Sequence, residues 1–421
     1  MLDPDRALQL VLEQSRPLAP ASSSILDALG CVLAEDLRAA DDLPPWPNSA
    51  VDGYAVQAAS TKGASPENPA RLRVLGQLGA GSVFEGRVGP GETVKIMTGA
   101  PMPDGADSVV MVEDSDGAAA GTVELRRAVS VDDHVRPRGE DVRQGELVLA
   151  RGRTIRPSEI GMMAALGRNH VLVHRRPRVA VLATGDELRE PGEPLDPGMI
   201  RNSAAYALLA QAAAAGAVPI SLGISPDKPE ELLAHMRRGL EQADVLVTCG
   251  GVSMGEFDFV PGIMRELGAQ ILFDRVAMAP GKPTTFAIAG ERLLFGLPGN
   301  PVSSMVAFEL FARPALLRLG GHVQLSRPTA RARLATEFRK RAGRRMYLRG
   351  KLEAGPDGTL VVAPMSTQSS GALRSIAEAT VLAIIEAETE RVPAGTELLC
   401  LLLDHPETAV LPGAGQTSEV P

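Results

Sequence analysis

Between residues 179 and 297, short apolar runs alternate with stretches of helical periodicity. The pattern predicts strands over 179–183, 217–223, 244–249, 270–273, 284–288 and 292–297, with helices over 203–215, 229–242 and 259–267. Strands that are apolar along their whole length are buried on both faces, so this alternation predicts a parallel sheet covered by helices on each side. A further helix is predicted over 301–319. Upstream, Asp3 and Pro4 start a helix that runs to about Ser15, and a second is predicted near 24–29, ending at Gly30. Residues 41–50 (DDLPPWPNSA) hold too much proline for regular structure. Short β-like runs at 71–75, 93–97, 108–112 and 122–125 predict a small β-rich domain, with 116–121 (DGAAAG) as a hairpin tip. Pro157 opens another helix, which stops at Gly167. Strands return at 330–338, 346–353, 359–362, 381–386 and 397–403, as a second β domain or barrel. The tail from Asp404 has little to bury and is expected to be disordered.

Composition narrows the function classes. At 421 residues, roughly three domains are expected at about 150 residues each. Aromatic residues make up only 3%, so the core must be mainly Ala, Val, Leu and Ile. A balance of 43 basic against 51 acidic residues argues against general nucleic-acid binding. Cys31, Cys249 and Cys400 form no CxxC pair and are too few for a disulfide framework, which fits a reducing cytosol. There is no apolar run of about 18 residues and no signal peptide at Met1–Asp5, so a soluble cytoplasmic protein without a membrane partner is expected. The six histidines show no zinc spacing, and no local nucleophile–His motif is present.

Candidate chemistry gathers where strands end, since ligands of doubly wound sheets bind beyond the carboxyl ends of the strands. Thr184-Gly185-Asp186-Glu187 follows the first strand, and Gly250-Gly251-Val252-Ser253-Met254-Gly255-Glu256-Phe257-Asp258 follows the third. Pro298-Gly299-Asn300-Pro301 joins the last strand to a helix whose first-turn N–H groups have no partner within the helix, which makes it an anion cradle. Gly250, Gly251, Gly255 and Ser253 suit a phosphate, although the stretch is neither a Walker loop nor GxGxxG and also reads as an ordinary strand–helix turn. Asp186, Glu187, Glu256 and Asp258 suit a hard cation, Mg²⁺ before others, and equally suit helix capping. Lys282, held between Pro280-Gly281 and Pro283, is an anion ligand. The turn at 48–55 (NSAVDGYA) and the loops at 97–100 (MTGA) and 138–141 (RGED) are bland when taken singly. Ten Lys/Arg between 327 and 351 read as a solvated face or as a polyanion contact.

Together these segments resemble the molybdenum insertase family, which comprises bacterial MoeA and the gephyrin E domain. The matching stretches are NSAVDGYA (48–55), MTGAP (97–101), RGED (138–141), TGDEL (184–188), GGVSMGEFDF (250–259), PGKP (280–283) and GLPGNPVS (296–303), with a weaker match at 368–379. The resemblance implies a multidomain α/β and β protein. A central parallel three-layer α/β domain of molybdopterin-binding type (175–325) is joined by a discontinuous N-terminal linker domain (1–52 and 145–174). An inserted β domain (53–144), a C-terminal β-barrel-like domain (326–404) and a tail (405–421) complete it. It implies molybdopterin molybdenumtransferase activity: molybdate enters adenylylated molybdopterin, the pyrophosphate bond is hydrolysed with a divalent ion, and AMP leaves. By motif, Asp52, Asp141, Glu187, Asp258 and Lys282 would be catalytic. Thr98, Thr184, Asp227, Gly250, Gly251, Ser253, Gly255, Pro298, Gly299, Asn300 and Pro301 would bind substrate. A homodimer is implied, with the cleft between the central domain of one chain and the inserted domain of the other. A molybdopterin adenylyltransferase and molybdoenzyme apoproteins are the further partners. Val51, Ala204 and Thr380 depart from the family pattern, where Met, Asn and Asn are usual. Two other readings compete: a gephyrin-type scaffold without turnover, and an adenylyltransferase or nucleotide pyrophosphatase sharing only the central domain.

Overall fold

The computed structural model describes residues 1–117, 121–251, 259–355 and 358–403. Ser253, Gly255, Glu256 and Asp258 therefore lie outside the described residues, as do the three alanines of the DGAAAG turn and the tail. Contacts divide the chain into two compact units, one of 1–22, 30–34 and 172 onward, the other of 23–29 and 35–171.

The first unit opens with α1 (Pro4–Gln14), capped by Asp3, whose carboxylate accepts the N–H groups of Asp5 and Arg6. The strand–helix alternation then appears as expected: β1 (Arg178–Thr184), α2 (Ser203–Ala214), β2 (Val218–Ser225), α3 (Pro229–Gln242), β3 (Val245–Cys249), α4 (Val260–Glu266), β4 (Gln270–Phe273), β5 (Thr285–Ala289) and β6 (Arg292–Leu297). They form one sheet in the order β2-β1-β3-β6-β5-β4. Separate apolar clusters cover its two faces, one around Leu208, Phe286, Phe295 and Phe311, the other around Leu182, Leu232 and Leu246. Scarce as aromatics are, Phe286 and Phe295 pair across β5–β6 with ring centroids 4.9 Å apart, and Phe273 joins them at 5.7 Å. The barrel expected downstream is closed: the strand Arg345–Ala354 pairs with both Leu360–Pro364 and Val381–Ile385, completing a ring with Thr329–Leu334 and Glu397–Leu402.

Three predicted features differ. The sheet is mixed, because β5 runs antiparallel to both β6 and β4. Ala289 pairs with Arg292, leaving a two-residue turn at Gly290-Glu291, and a parallel crossover needs a dozen residues or more. The helix 301–319 is interrupted, with α5 (Pro301–Ala307) and α6 (Arg313–Leu319) flanking a π-helical stretch, Phe308–Ala312. Pro314 has no N–H to offer Leu310, so the ladder slips by one residue and Arg313 N–H reaches back to the Phe308 carbonyl. The helix expected near 24–29 is absent; those residues form turns after the short strand Pro20–Ser24.

In the second unit five strands form a sheet in the order Ser108–Met111, Gly53–Val56, Glu92–Ile96, Ala70–Leu78, Thr122–Leu125. Its faces are filled by Val94, Ile96 and Val109 on one side and by Tyr54, Leu72 and Val110 on the other. Gly53 sits against the edge strand Ser108–Met111, and a Cβ there would lie 2.0 Å from the Val110 carbonyl oxygen. Gly53→Ala should therefore destabilise this unit by about 3 kcal/mol or more. The check is the urea midpoint, with Gly145→Ala, which meets nothing within 4 Å, as a comparison for strain without a clash.

Candidate functional site

Register brings the predicted loops together. Ala183 pairs with Cys249, and Cys249 with Leu297, so Thr184, Gly250 and Pro298 leave three neighbouring parallel strands side by side. Gly250 N–H donates to the Leu297 carbonyl at 3.0 Å. A Cβ on Gly250 would lie 2.5 Å from both the carbonyl oxygen and the hydroxyl of Thr184, and Gly251 also faces that hydroxyl. One on Gly299 would lie 3.5 Å from the Gly250 Cα. The Thr184 hydroxyl is buried without a hydrogen-bond partner among the described residues. From the fourth parallel strand, Asp227 N–H donates to Asp186 Oδ1 at 3.2 Å, and Gly185 N–H donates to Ser225 O. Burial pushes the Cys249 thiol up to about 12, so no thiolate nucleophile stands at this rim near neutral pH.

The helix start is narrower than the sequence suggests. Pro301 opens α5, Asn300 makes no side-chain cap, and the Val302 N–H donates to the Ser370 carbonyl at 3.2 Å. A segment of the barrel domain thus covers part of the cradle. Lys282 is exposed on a turn fixed by Thr284 Oγ1 donating to Gly281 O, and a Cβ on Gly281 would lie 3.5 Å from the Ser303 carbonyl, in the first turn of α5.

The same barrel segment exposes a residue that the sequence reading passed over. Arg349 is fully buried. Its Nη2 donates to the carbonyls of Thr367 (3.5 Å) and Ser369 (3.2 Å), while Nε and Nη1 have no partner among the described residues. Burial alone pushes its pKa down, and no carboxylate offsets it. The neighbouring cations behave differently: Arg327 pairs with Glu309, Arg331 with Glu397, Arg339 with Glu337, Arg345 with Asp5 and Glu386, and Lys351 with Glu378. Half of the ten cations of the basic run are thus engaged in these ion pairs. One signal was available in the sequence, since Arg349 interrupts an otherwise apolar stretch, MYLRG.

In the second unit, Asp52 Oδ1 accepts both the N–H (2.7 Å) and the hydroxyl (2.8 Å) of Thr98. These bonds, the backbone one first, hold its carboxyl below the usual carboxylate range. The stability they confer is present above the ordinary carboxylate pKa and is lost as pH falls through the depressed value. Asp141 N–H donates to Leu43 O, Gly139 N–H to Pro44 O, Ser49 N–H to Ala100 O and Gly99 N–H to Ser49 O. The loops that looked bland in isolation therefore hang on one segment, 43–49, with the Asp141 loop tied at its start and the Thr98 loop at its end, a lattice that bears Asp52, Thr98 and Asp141.

Residues 2–167 match the model of the MoeA N-terminal region (domain I and II), 180–318 that of a probable molybdopterin binding domain, and 331–403 that of the MoeA C-terminal region (domain IV). The chain belongs to the MoeA family. It is 38% identical over 382 residues to the molybdopterin molybdenumtransferase of Bacillus subtilis (strain 168), covering 90% of this chain and 88% of that protein. It is 34% identical over 392 residues to the enzyme of Staphylococcus aureus (strain N315), covering 92% of each. A solved molybdopterin biosynthesis MoeA protein from Pyrococcus horikosii superposes with a TM-score of 0.81 at 31% identity, covering 96% of this chain and all of that one.

Family matches on both sides of the central domain set aside the reading in which only that domain is shared. The departures from the MoeA pattern have local accounts. Ala204 is buried in the first turn of α2, which Asn202 caps through Ala205 N–H. Thr380 Oγ1 accepts the Leu352 N–H at 2.8 Å, so a polar contact is kept at that position. Val51 packs against the Val94–Val109 cluster. The described residues contain no group of three or more metal-ligating side chains, and no described helix is long and apolar enough to cross a membrane.

Proposed function

We propose that this MoeA-family molybdopterin molybdenumtransferase acts on adenylylated molybdopterin, takes molybdate as metal donor and releases AMP. The observation that carries this reading is the oxyanion-seeking set in one unit: three strand-end loops, Lys282, and a buried guanidinium without a carboxylate, joined through the Ser303 and Ser370 contacts. A guanidinium so placed suits a tetrahedral oxyanion. Pyrophosphate cleavage asks mainly for positioning and charge neutralisation.

The acidic lattice of the other unit supplies the complementary half, contributed across a homodimer to the partner's central domain. Asp52 stays ionised there, which suits ordering water or a cation better than accepting a proton near neutral pH. Mg²⁺ fits the described donors only in part. Asp186 Oδ1 already accepts the Asp227 amide, and Glu187 offers an exposed carboxylate. Mg²⁺ holding one or two carboxylates, waters and substrate phosphate oxygens needs no larger cage. With Cys31, Cys249 and Cys400 buried and free, the chain suits a reducing cytoplasm.

Purified chain mixed with adenylylated molybdopterin, molybdate and Mg²⁺ should release AMP, and omission of the divalent ion should slow release at least tenfold. Tight binding with no AMP under any of these conditions would favour the scaffold reading instead.

A further inference from the structure

Trp46 is the chain's single tryptophan, and 52% of its surface is exposed. Of the exposed large apolar side chains in its unit, among the described residues, it alone is aromatic. Its setting is rigid. Pro44, Pro45 and Pro47 surround it, each with a fixed φ. The strap is tied down at both ends. On one side Gly139 N–H donates to Pro44 O at 2.9 Å, and Leu43 exchanges hydrogen bonds with Val142 and accepts the Asp141 N–H. On the other side Met102 N–H donates to Pro47 O at 2.9 Å, and Asn48 bridges to Pro101, three residues beyond Thr98. Trp46 therefore stands between the anchor of the Asp141 loop and the anchor of the Thr98–Asp52 pair.

We propose that Trp46 is the stacking platform for a planar heterocycle of the phosphate-bearing substrate, and so sets where its phosphates meet the acidic lattice. This rests on the functional reading above, in which that lattice faces the substrate. A ring held on a prolyl strap loses little freedom on binding, and an indole face accepts any flat heterocycle. The ring is the adenine or the pterin; both present the same π surface, and the test separates them.

With one tryptophan, intrinsic emission of the full-length chain reports this side chain alone. Titration with AMP should quench it if adenine stacks; titration with molybdopterin should do so if the pterin stacks. Trp46→Ala should raise KM for adenylylated molybdopterin by about tenfold to a hundredfold with kcat nearly unchanged, and Trp46→Phe should recover most of that loss. The proposal fails if neither ligand, nor the adenylylated substrate at saturation, changes the emission and Trp46→Ala keeps the original KM. It also fails if iodide cannot quench the emission of the ligand-free protein at any concentration, because the indole is then closed to any ligand. Absence of AMP release by the unsubstituted chain would refute the functional reading separately, and the emission titrations with AMP and molybdopterin do not depend on turnover.

Discussion

Gly250→Ala should abolish measurable turnover and lower the melting temperature by about 6–12 °C. Gly250 has φ +107°, a conformation that costs a residue with a side chain about 1–3 kcal/mol. The new methyl group would also lie 2.5 Å from the Thr184 carbonyl oxygen and hydroxyl, so strand ends now in contact must separate. About 3 kcal/mol in a domain of this size corresponds to the stated shift at about 2–4 °C per kcal/mol. On the proposed function the chemistry suffers more than the stability does, because Thr184, Gly250 and Pro298 would form the floor against which the phosphates are positioned, and displacements near 1 Å are costly in rate. Gly299→Ala provides the control. Gly299 is exposed, and its added methyl would make only an ordinary 3.5 Å contact with the Gly250 Cα. That variant should melt with the original protein, so a rise in its KM would report ligand contact directly. Thermal denaturation and AMP release on both variants decide the matter, and a Gly250→Ala protein with unaltered melting and turnover would refute this account of the loop.

Which of these features could be read from the chain follows from how local their causes are. The central strands were legible because burial on both faces leaves a continuous apolar run, and the loops at 184–187, 250–251 and 298–301 because strand ends dictate where ligands bind. The antiparallel β5 was legible in principle: three residues between adjoining predicted strands cannot house a crossover, yet alternation suggested a parallel sheet. The pairing of Asp52 with Thr98 was not legible from spacing, because 46 residues separate them and only the sheet brings them together. The π-helical stretch depended on Pro314, whose effect falls on the hydrogen bonds of the preceding turn. Arg349 was hidden by its neighbours. Beyond the apolar residues beside it, nothing in a run of ten cations marks the one that is buried without a carboxylate; that depends on the segment near residue 369, which folds over it from 20 residues downstream.

Arg349→Met should leave the protein as stable as before or more so, while AMP release at limiting molybdate falls about a hundredfold. Burying a guanidinium with two unpartnered nitrogens and no counter-charge opposes folding, and a side chain of similar length without charge removes that penalty. Against this stands the loss of donors to the Thr367 and Ser369 carbonyls, at about 1 kcal/mol each. The net change therefore lies between neutral and a gain of a few kcal/mol. Arg327→Met makes the opposing case. Its guanidinium grips Glu309, which is only 6% exposed, at 2.7 and 3.2 Å. Removing it weakens the compensation of a buried carboxylate, which Arg313 alone would hold at 3.4 Å, and should cost about 3 kcal/mol. The same substitution thus has opposite signs at two arginines of one basic run, and only the one that stabilises should weaken the response to molybdate. Melting temperatures paired with molybdate titrations of AMP release provide the test. If Arg349→Met melts as low as Arg327→Met and keeps the original dependence on molybdate, Arg349 serves the barrel alone, and the oxyanion site must be built without it.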